Sequence, residues 1–287
     1  ARIDYCNKAL TSIVVSDKND NLIKQMNLYY SYFLTTSNKP NKEAYRLRLD
    51  KIGEVSTDSK DEIFYRFEYD CSEPLPPVST GESDYLGYYN KKNNSNFRTQ
   101  LYYHYNKGRY SFLPFPLTEE CIVVPKGSRS QEGNSASLLG LLNRIVYPTG
   151  GTSEFIYENH QFKLFDKKVT AGGVRIKKQI LRDEQGNTQT KEYSYLLEDS
   201  SSSGSICNMP QFAVISKCLS NRIRVRCFNR NISSIELTEG SFVGYSRIIE
   251  NDMQNGYKEY LYSSSNDYPY DYLDAPSEGN IINFLKN

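Results

Sequence analysis

The sequence predicts a protein that is all-β or nearly so, with antiparallel hairpins forming large twisted sheets and one short helix at most. Three observations lead to this prediction. The 287 residues include 25 Tyr and 13 Phe but no Trp, and Tyr and Phe favour half-buried strand positions. Apolar and polar residues alternate along many short segments, as is typical of antiparallel sheets with one face in water. Turn-forming residues separate these segments.

Alternating segments predict the first strands in chain order. Ile13 and Val15 alternate before a run of turn formers at 17–21, and the alternation resumes over 23–33. Residues 45–49 and 63–69 have the same pattern. We therefore expect strand–turn–strand units from the start of the chain.

The next elements are predicted from their turn residues. The prolines of 74–77 interrupt any regular element. Residues 102–105 and 109–112 flank Asn-Lys-Gly, which predicts a hairpin. One or two helical turns are expected over 138–143, and Pro-Thr-Gly-Gly at 148–151 predicts a tight reversal.

Two segments in the second half share one pattern. Each has a strand, a turn that contains Asp and Gly, and a Lys-Glu-Tyr-x-Tyr strand, at 191–195 and at 258–262. Two copies do not establish a repeat array, but they fit stacked hairpins in one continuing sheet. We expect both segments to be strands in equivalent hairpins.

The chain divides most naturally at 126–137, a linker-like stretch rich in Ser and Gly. Residues 1–125 are then an N-terminal β subdomain. Residues 138–287 are a C-terminal β subdomain that carries the hairpin repeat. The alternative is one continuous domain.

Composition excludes several function classes. Lys and Arg number 35 against 34 Asp and Glu, a net charge of +1, whereas dedicated nucleic-acid binders are strongly basic. The alternation of Arg222, Arg224 and Arg226 could form an anion-binding stripe, but a water-facing surface neutralised by a neighbouring strand is favoured. The chain has no apolar run of membrane-spanning length. We expect neither nucleic-acid binding nor direct membrane insertion.

Metal and thiol chemistry have little support. The six cysteines include no Cys-x-x-Cys pair and no zinc-site spacing, so no cofactor or structural metal is expected. Cys227 follows Ile223 and Val225 at a period of two, which predicts a buried free thiol. Disulfide pairing among the six stays open.

No catalytic residue emerges from the sequence. His104 and His160 are isolated and are expected to be ordinary strand or surface residues. Glu154 and Glu158 alternate on one side of a strand, and carboxylates that lie together in space can hydrolyse glycosides. The acidic and Tyr-rich stretch at 267–274 suits sugar binding, but a solvated loop is the favoured interpretation.

Several segments in shared order carry a family resemblance over nearly the whole chain. They are residues 2–4, 10–15, 30–33, 46–52, 65–69, 84–90, 147–151, 172–176 and 243–245. With these segments the chain resembles large exported cell-surface proteins of Bacteroidetes that are related to Rhs/YD-repeat proteins. One departure is Leu86, where the family pattern usually has Trp. The resemblance implies an exported β-rich piece of a longer polypeptide with no established enzymatic activity.

The expected function is that of a non-catalytic, extracytoplasmic structural or binding module at the cell surface or outside the cell. Its expected partners are other regions of the same large polypeptide, or surface glycans. The alternative is a carbohydrate-active module, either a lectin-like binder or a glycoside hydrolase. Two acids about 5–10 Å apart in an aromatic cleft would favour the hydrolase, and a continuous sheet without such a cleft would favour the structural module.

One loop is the candidate ligand-binding site. Within 84–90, tyrosines with stacking faces lie beside a carboxylate, an amide and a flexible Gly, and rigid sheets carry recognition on such loops. The alternative is that the tyrosines form a buried plug at the sheet edge. The candidate binding residues are Asp84, Tyr85, Tyr88, Tyr89 and Asn90.

Overall fold

The fold is almost entirely β-strand. The computed structural model describes residues 8–35, 42–56, 61–78, 81–84, 86–92, 102–106, 109–113, 122–123, 135–164, 167–206, 213–217, 223–228, 241–264 and 267. These residues form 17 strands and two single-turn 3-10 segments, Lys42–Ala44 and Ser135–Leu138. The predicted all-β class is confirmed.

Ten strands form one antiparallel sheet whose spatial order follows the chain order. Each strand pairs with the next strand of the sheet along the chain, so the sheet is a long meander. In order across the sheet, the strands are β1 (Ser12–Ser16), β2 (Leu22–Phe33), β3 (Arg46–Val55), β4 (Glu62–Tyr69), β8 (Leu142–Val146), β9 (Thr152–Leu164), β10 (Lys167–Arg182), β11 (Thr188–Ser194), β16 (Arg247–Asp252) and β17 (Gly256–Leu261).

The remaining described strands form three small antiparallel sheets. The strand β5 (Tyr102–Asn106) pairs with β6 (Arg109–Leu113) and β7 (Ile122–Val123), which confirms the predicted hairpin. The other two sheets pair β12 (Gly204–Ile206) with β15 (Val243–Tyr245), and β13 (Ala213–Lys217) with β14 (Ile223–Cys227).

Local turn chemistry explains the predicted reversals. The Asp17 carboxylate accepts hydrogen bonds from the backbone N–H groups of Asn19 and Asn21, at 2.7 and 2.9 Å, and so fixes the turn between β1 and β2. The predicted reversal at 148–151 is confirmed, because the Gly150 N–H donates to the Tyr147 carbonyl at 3.0 Å. Gly150 has a φ of 86° there, a backbone conformation that favours glycine.

The two Lys-Glu-Tyr segments are strands in antiparallel hairpins of the large sheet, as predicted. The first segment is in β11, which pairs with β10. The second is in β17, which pairs with β16. The strands β11 and β16 also pair with each other, so the two hairpins are neighbours in one sheet.

The position of the predicted helical turn was wrong. The 3-10 turn ends at Leu138, and the last two residues of the predicted segment, Leu142 and Asn143, belong to β8. The strand β8 pairs with both β4 and β9, and hydrogen bonds to two neighbours override a weak local helical preference. This pairing also places strands from both sides of 126–137 in one sheet.

The apolar residues with the lowest exposure lie where the β12–β15 pair packs on the large sheet. Phe162 of β9, Ala171 of β10 and Val243 of β15 are at most 2 % exposed. The ladder between β9 and β10 shifts register between Thr170 and Val174, and the bulge contains Ala171.

No helix in the described part of the chain is long and apolar enough to cross a membrane.

Candidate functional site

The predicted binding loop is folded around its own carboxylate. Asp84 is 1 % exposed, and its Oδ1 accepts hydrogen bonds from the backbone N–H groups of Leu86 and Tyr88, both at 2.9 Å. The Asp84 N–H donates to the Tyr88 carbonyl at 2.8 Å. The Asp84 side chain therefore holds a tight turn together, as Asp commonly does in loops.

The two described tyrosines of this loop, Tyr88 and Tyr89, are half-buried. A Cβ added at Gly173 would lie 2.5 Å from the Tyr88 ring, so that ring lies directly on the backbone of β10. The Tyr88 ring also meets Phe242 edge to face, with centroids 6.0 Å apart. Burial, and then the nearby Glu82 carboxylate, raises the pKa of Tyr89.

The five predicted residues are thus brought together only in part. Asn90, like Asp84, is 1 % exposed, Tyr88 and Tyr89 are half-buried, and Tyr85 lies outside the described residues. A ligand at this loop would meet the exposed parts of the two half-buried rings, because Asp84 and Asn90 are buried. Ligand binding at this loop stays a prediction.

A second polar cluster, formed by Glu158, His160, Arg175, Tyr195 and Tyr245, lies where β15 covers the large sheet. Arg175, 9 % exposed, donates from Nε to Glu158 Oε1 at 2.8 Å and from Nη1 to the Tyr245 hydroxyl at 2.9 Å. That hydroxyl lies 2.7 Å from His160 Nδ1. Because the Tyr245 oxygen accepts from Arg175, its proton is available to His160 Nδ1. We name this group the Arg175 cluster.

Aromatic rings enclose the Arg175 guanidinium. Its central carbon lies 4.2 Å from the Tyr195 ring centroid and 5.1 Å from that of Tyr245. The centroids of the Tyr195 and Tyr245 rings are 4.6 Å apart. The Tyr195 hydroxyl donates a hydrogen bond to the Ile176 carbonyl at 2.6 Å. Cation–π contacts of this kind are strongest when water is excluded.

The electrostatics of the cluster follow from its burial. Burial, together with the positive charge of Arg175, lowers the pKa of His160 to about 4, so this imidazole is neutral at pH 7. Burial raises the pKa of Tyr195 and of Tyr245, so both phenols stay protonated. The cluster joins β9, β10 and β15 through hydrogen bonds made inside it.

Only a weak signal in the sequence pointed to the Arg175 cluster. Glu158 and His160 lie two residues apart on β9, but Arg175 comes from β10, Tyr245 from β15, and Tyr195 directly follows β11. The glycine pair at 172–173 was the available sign in the sequence, because glycine inside a strand often marks the close approach of another segment. In the structure, a Cβ at Gly172 would lie 3.3 Å from Val243, and one at Gly173 would lie 2.5 Å from the Tyr88 ring.

The two glutamates considered as paired acids are each engaged by arginine. Glu158 Oε1 lies 2.7 Å from Arg175 Nη2, and Glu154 lies 3.7 Å from Arg144 and 3.8 Å from Arg182. Residues four apart in a strand have Cα atoms about 13 Å apart. The carboxyl groups of glycosidase acid pairs are at most about 9.5 Å apart. The backbone spacing and the ion pairs with arginine both count against a hydrolytic pair of Glu154 and Glu158.

Other predicted features lie largely outside the described residues. In the acidic stretch at 267–274 only Asp267 is described, and its carboxylate accepts a hydrogen bond from the Ser264 backbone N–H at 2.6 Å. The predicted arginine stripe spans β14, where Arg226 is exposed, while Arg222 and the side chains of Arg224 and Cys227 are outside the described part.

The described part of the chain contains one free cysteine and no cluster of metal-ligand side chains. Cys71 is a free, exposed cysteine, with its Sγ 3.6 Å from Arg48 Nη1. Within the described residues, no group of three or more His, Cys, Asp or Glu side chains is arranged to hold a metal ion. The other five cysteines, apart from the backbone of Cys227, lie outside the described residues.

No protein-family model matches the chain, and no curated protein sequence matches it.

Proposed function

We propose that this chain is a non-catalytic structural or binding module of a large exported cell-surface protein. The observation that carries the proposal is the ten-stranded meander, in which each strand pairs with the next strand of the sheet along the chain. A long sheet of this kind is a mechanical scaffold on which loops can be displayed. The resemblance to Rhs/YD-repeat-related proteins supports the same function.

The polar groups of the described sheet also support a structural function. Glu154 and Glu158 neutralise arginines. The hydrogen bonds within the Arg175 cluster connect β9, β10 and β15. Buried networks of this kind specify one packing arrangement when every member has a partner. Glu154, Glu158 and His160, the described residues considered for acid or base chemistry, thus each have a structural contact.

The competing hydrolase function is tested by direct assay. The purified chain is incubated with a panel of aryl glycosides and plant and bacterial polysaccharides, beside matched Glu154→Gln and Glu158→Gln variants. We expect no release of reducing sugar from any sample. Hydrolysis by the unmodified chain would overturn the proposal, and its loss in either variant would assign the activity to that glutamate.

The proposed location is tested on intact cells of the source organism. Brief treatment with an added protease, followed by mass spectrometry of the released peptides, should yield peptides of this chain, with a ribosomal protein as the intracellular control. Release only after lysis, together with the control, would show that the chain is not at the cell surface.

The binding aspect is tested on a glycan array. If a glycan is retained, Tyr88→Ala and Tyr89→Ala should each lower its affinity, whereas Tyr262→Ala, at an exposed tyrosine of another edge, should not. Unchanged affinity in both loop variants would remove the loop as the binding site.

A further inference from the structure

The outer edge of β1 is exposed, apolar and uncharged. Its sequence is Ser-Ile-Val-Val-Ser, and all five residues are exposed, with Ile13 at 48 %, Val14 at 55 % and Val15 at 47 %. Within the part of the chain that the structure describes, β1 pairs with β2 alone. Edge strands without Lys, Pro or another protecting device readily pair with a further strand.

The hydrogen bonds on the inner side show which backbone groups of β1 point outward. Thr11 O accepts from the Leu28 N–H at 2.8 Å, and the Asp17 N–H donates to Asn21 O at 2.9 Å. Bonding directions alternate along an antiparallel strand. The odd-numbered residues from Thr11 to Asp17 therefore face β2, and Ser12, Val14 and Ser16 direct their N–H and C=O groups outward.

The strand is complementary to itself about Val14. Around a twofold axis perpendicular to the sheet at Val14, the two Val14 residues are opposite each other, Ile13 is opposite Val15, and Ser12 is opposite Ser16. In this register outward-facing groups meet outward-facing groups, with two backbone hydrogen bonds at each such pair. The cross-strand pairs are β-branched with β-branched and Ser with Ser, which are favourable combinations.

We propose that β1 joins two copies of this chain in an antiparallel, twofold-symmetric dimer with one sheet running across the axis. A second copy is the partner that fits, because the match of side chains and of hydrogen-bonding groups needs the same five residues on both sides. This inference goes beyond the proposed function and does not depend on it.

The opposite edge of the sheet lacks this property. The Tyr262 N–H donates to Ser246 O at 2.8 Å, so Tyr257, Glu259 and Leu261 of β17 face outward. If β17 paired with β17 of a second copy, the register with the most pairs of outward-facing residues would place Glu259 opposite Glu259 of that copy. Like charges directly opposite each other destabilise a strand pair, so assembly stops at two copies.

The test compares matched charge substitutions at the two edges. Sedimentation velocity across the micromolar concentration range should give a dimer for the unmodified chain, a monomer for Val14→Lys and a dimer for Leu261→Lys, with circular dichroism confirming the fold of both variants. A Val14 lysine would meet its own copy on the axis, whereas Leu261 lies at the other edge. A monomeric unmodified chain, or a dimer that only Leu261→Lys dissociates, would overturn the proposal.

A crosslink tests the register without relying on a destabilising charge. Hydrogen-bonded antiparallel pairs have Cα atoms about 5.5 Å apart, within the disulfide range of about 4.4–6.8 Å. Val14→Cys should therefore form a disulfide between two copies under mild oxidation, identified as the symmetric peptide by mass spectrometry. Leu261→Cys is the matched control and should not. Absence of the Val14 crosslink in a chain that has the native circular dichroism spectrum would contradict the register.

Discussion

The two Lys-Glu-Tyr-x-Tyr segments have the same pattern but different neighbours. The first, in β11, lies inside the large sheet between β10 and β16, and the second, in β17, is at the edge beyond β16. Tyr195, the last residue of the first segment, is 8 % exposed, whereas the matching Tyr262 is 54 % exposed. Equivalent local sequence has given one core tyrosine and one surface tyrosine.

The contacts of the two tyrosines explain the difference. Tyr195 belongs to the Arg175 cluster and donates a hydrogen bond to the Ile176 carbonyl. Tyr262 stacks on Tyr260, another exposed tyrosine, with centroids 6.5 Å apart. The comparison teaches that the pattern sets the strand and its hairpin, while neighbouring strands set what each side chain contributes to stability.

The largest expected difference is between the two tyrosines. Tyr195→Ala removes a buried ring and should lower the free energy of unfolding by about 3–5 kcal/mol. Tyr262→Ala should change it by less than about 0.5 kcal/mol, because exposed side chains contribute little. Urea denaturation of both variants measures the two values, and similar losses would refute the comparison.

Acid should destabilise the Arg175 cluster, to which Tyr195 of the first segment belongs, through His160. The pKa of His160 is about 4 in the folded protein and about 6.5 in an unfolded chain. The unfolded state therefore binds the proton more readily, and stability falls as pH drops from about 6.5 to 4, by up to about 3 kcal/mol.

The contribution of His160 is isolated by substitution. His160→Gln should flatten the pH dependence of the urea midpoint in this window, although Gln also lowers overall stability. Tyr262→Ala, at the other segment, should leave the pH dependence as in the unmodified chain. A pH dependence that survives in His160→Gln would assign the acid sensitivity to other groups.

The turns of the two hairpins should respond alike, unlike their tyrosines. Gly186 and Gly256 have φ values of 89° and 97°, and a Cβ at either would meet nothing within 4 Å. The cost of Ala is then backbone strain alone, about 1–2 kcal/mol at each position. Melting curves that differ strongly between Gly186→Ala and Gly256→Ala would show that the hairpins are not equivalent.

The smallest expected effects are those of replacing the two lysines. Lys191 Nζ lies 2.8 Å from Glu250 Oε1, with the two side chains 26 % and 13 % exposed, and this hydrogen bond raises the pKa of Lys191. Lys191→Gln should cost about 1 kcal/mol. Lys258 lies opposite Glu250 on the exposed β17. Lys258→Gln should therefore lower the free energy of unfolding by about 0.3 kcal/mol or less. Equal urea midpoints for the two variants would contradict this ranking.

The strands and turns were largely predictable because their causes are local. Alternation at a period of two identified β1, β2, β3 and β4, and the Asp, Asn, Gly and Pro residues marked the reversals between strands. The helical turn was misplaced, because Leu142 and Asn143 form hydrogen bonds to two strands that are distant in sequence.

The candidate sites were less predictable, because their members come from separate strands. The loop at 84–90 could be found by composition, but the burial of Asp84 and Asn90 and the packing of the Tyr88 ring against β10 and Phe242 could not. The Arg175 cluster was not predicted at all, since Glu158, Arg175 and Tyr245 meet only when β9, β10 and β15 pack together.

The sequence by itself determined an all-β chain of hairpins, because alternation and turn residues act over a few neighbouring residues. Tertiary structure alone decided which hairpin lies inside the sheet, which tyrosine is buried and which carboxylates neutralise arginines. These depend on the contacts that each strand makes with neighbours far along the chain, and a local pattern such as Lys-Glu-Tyr-x-Tyr carries no record of them.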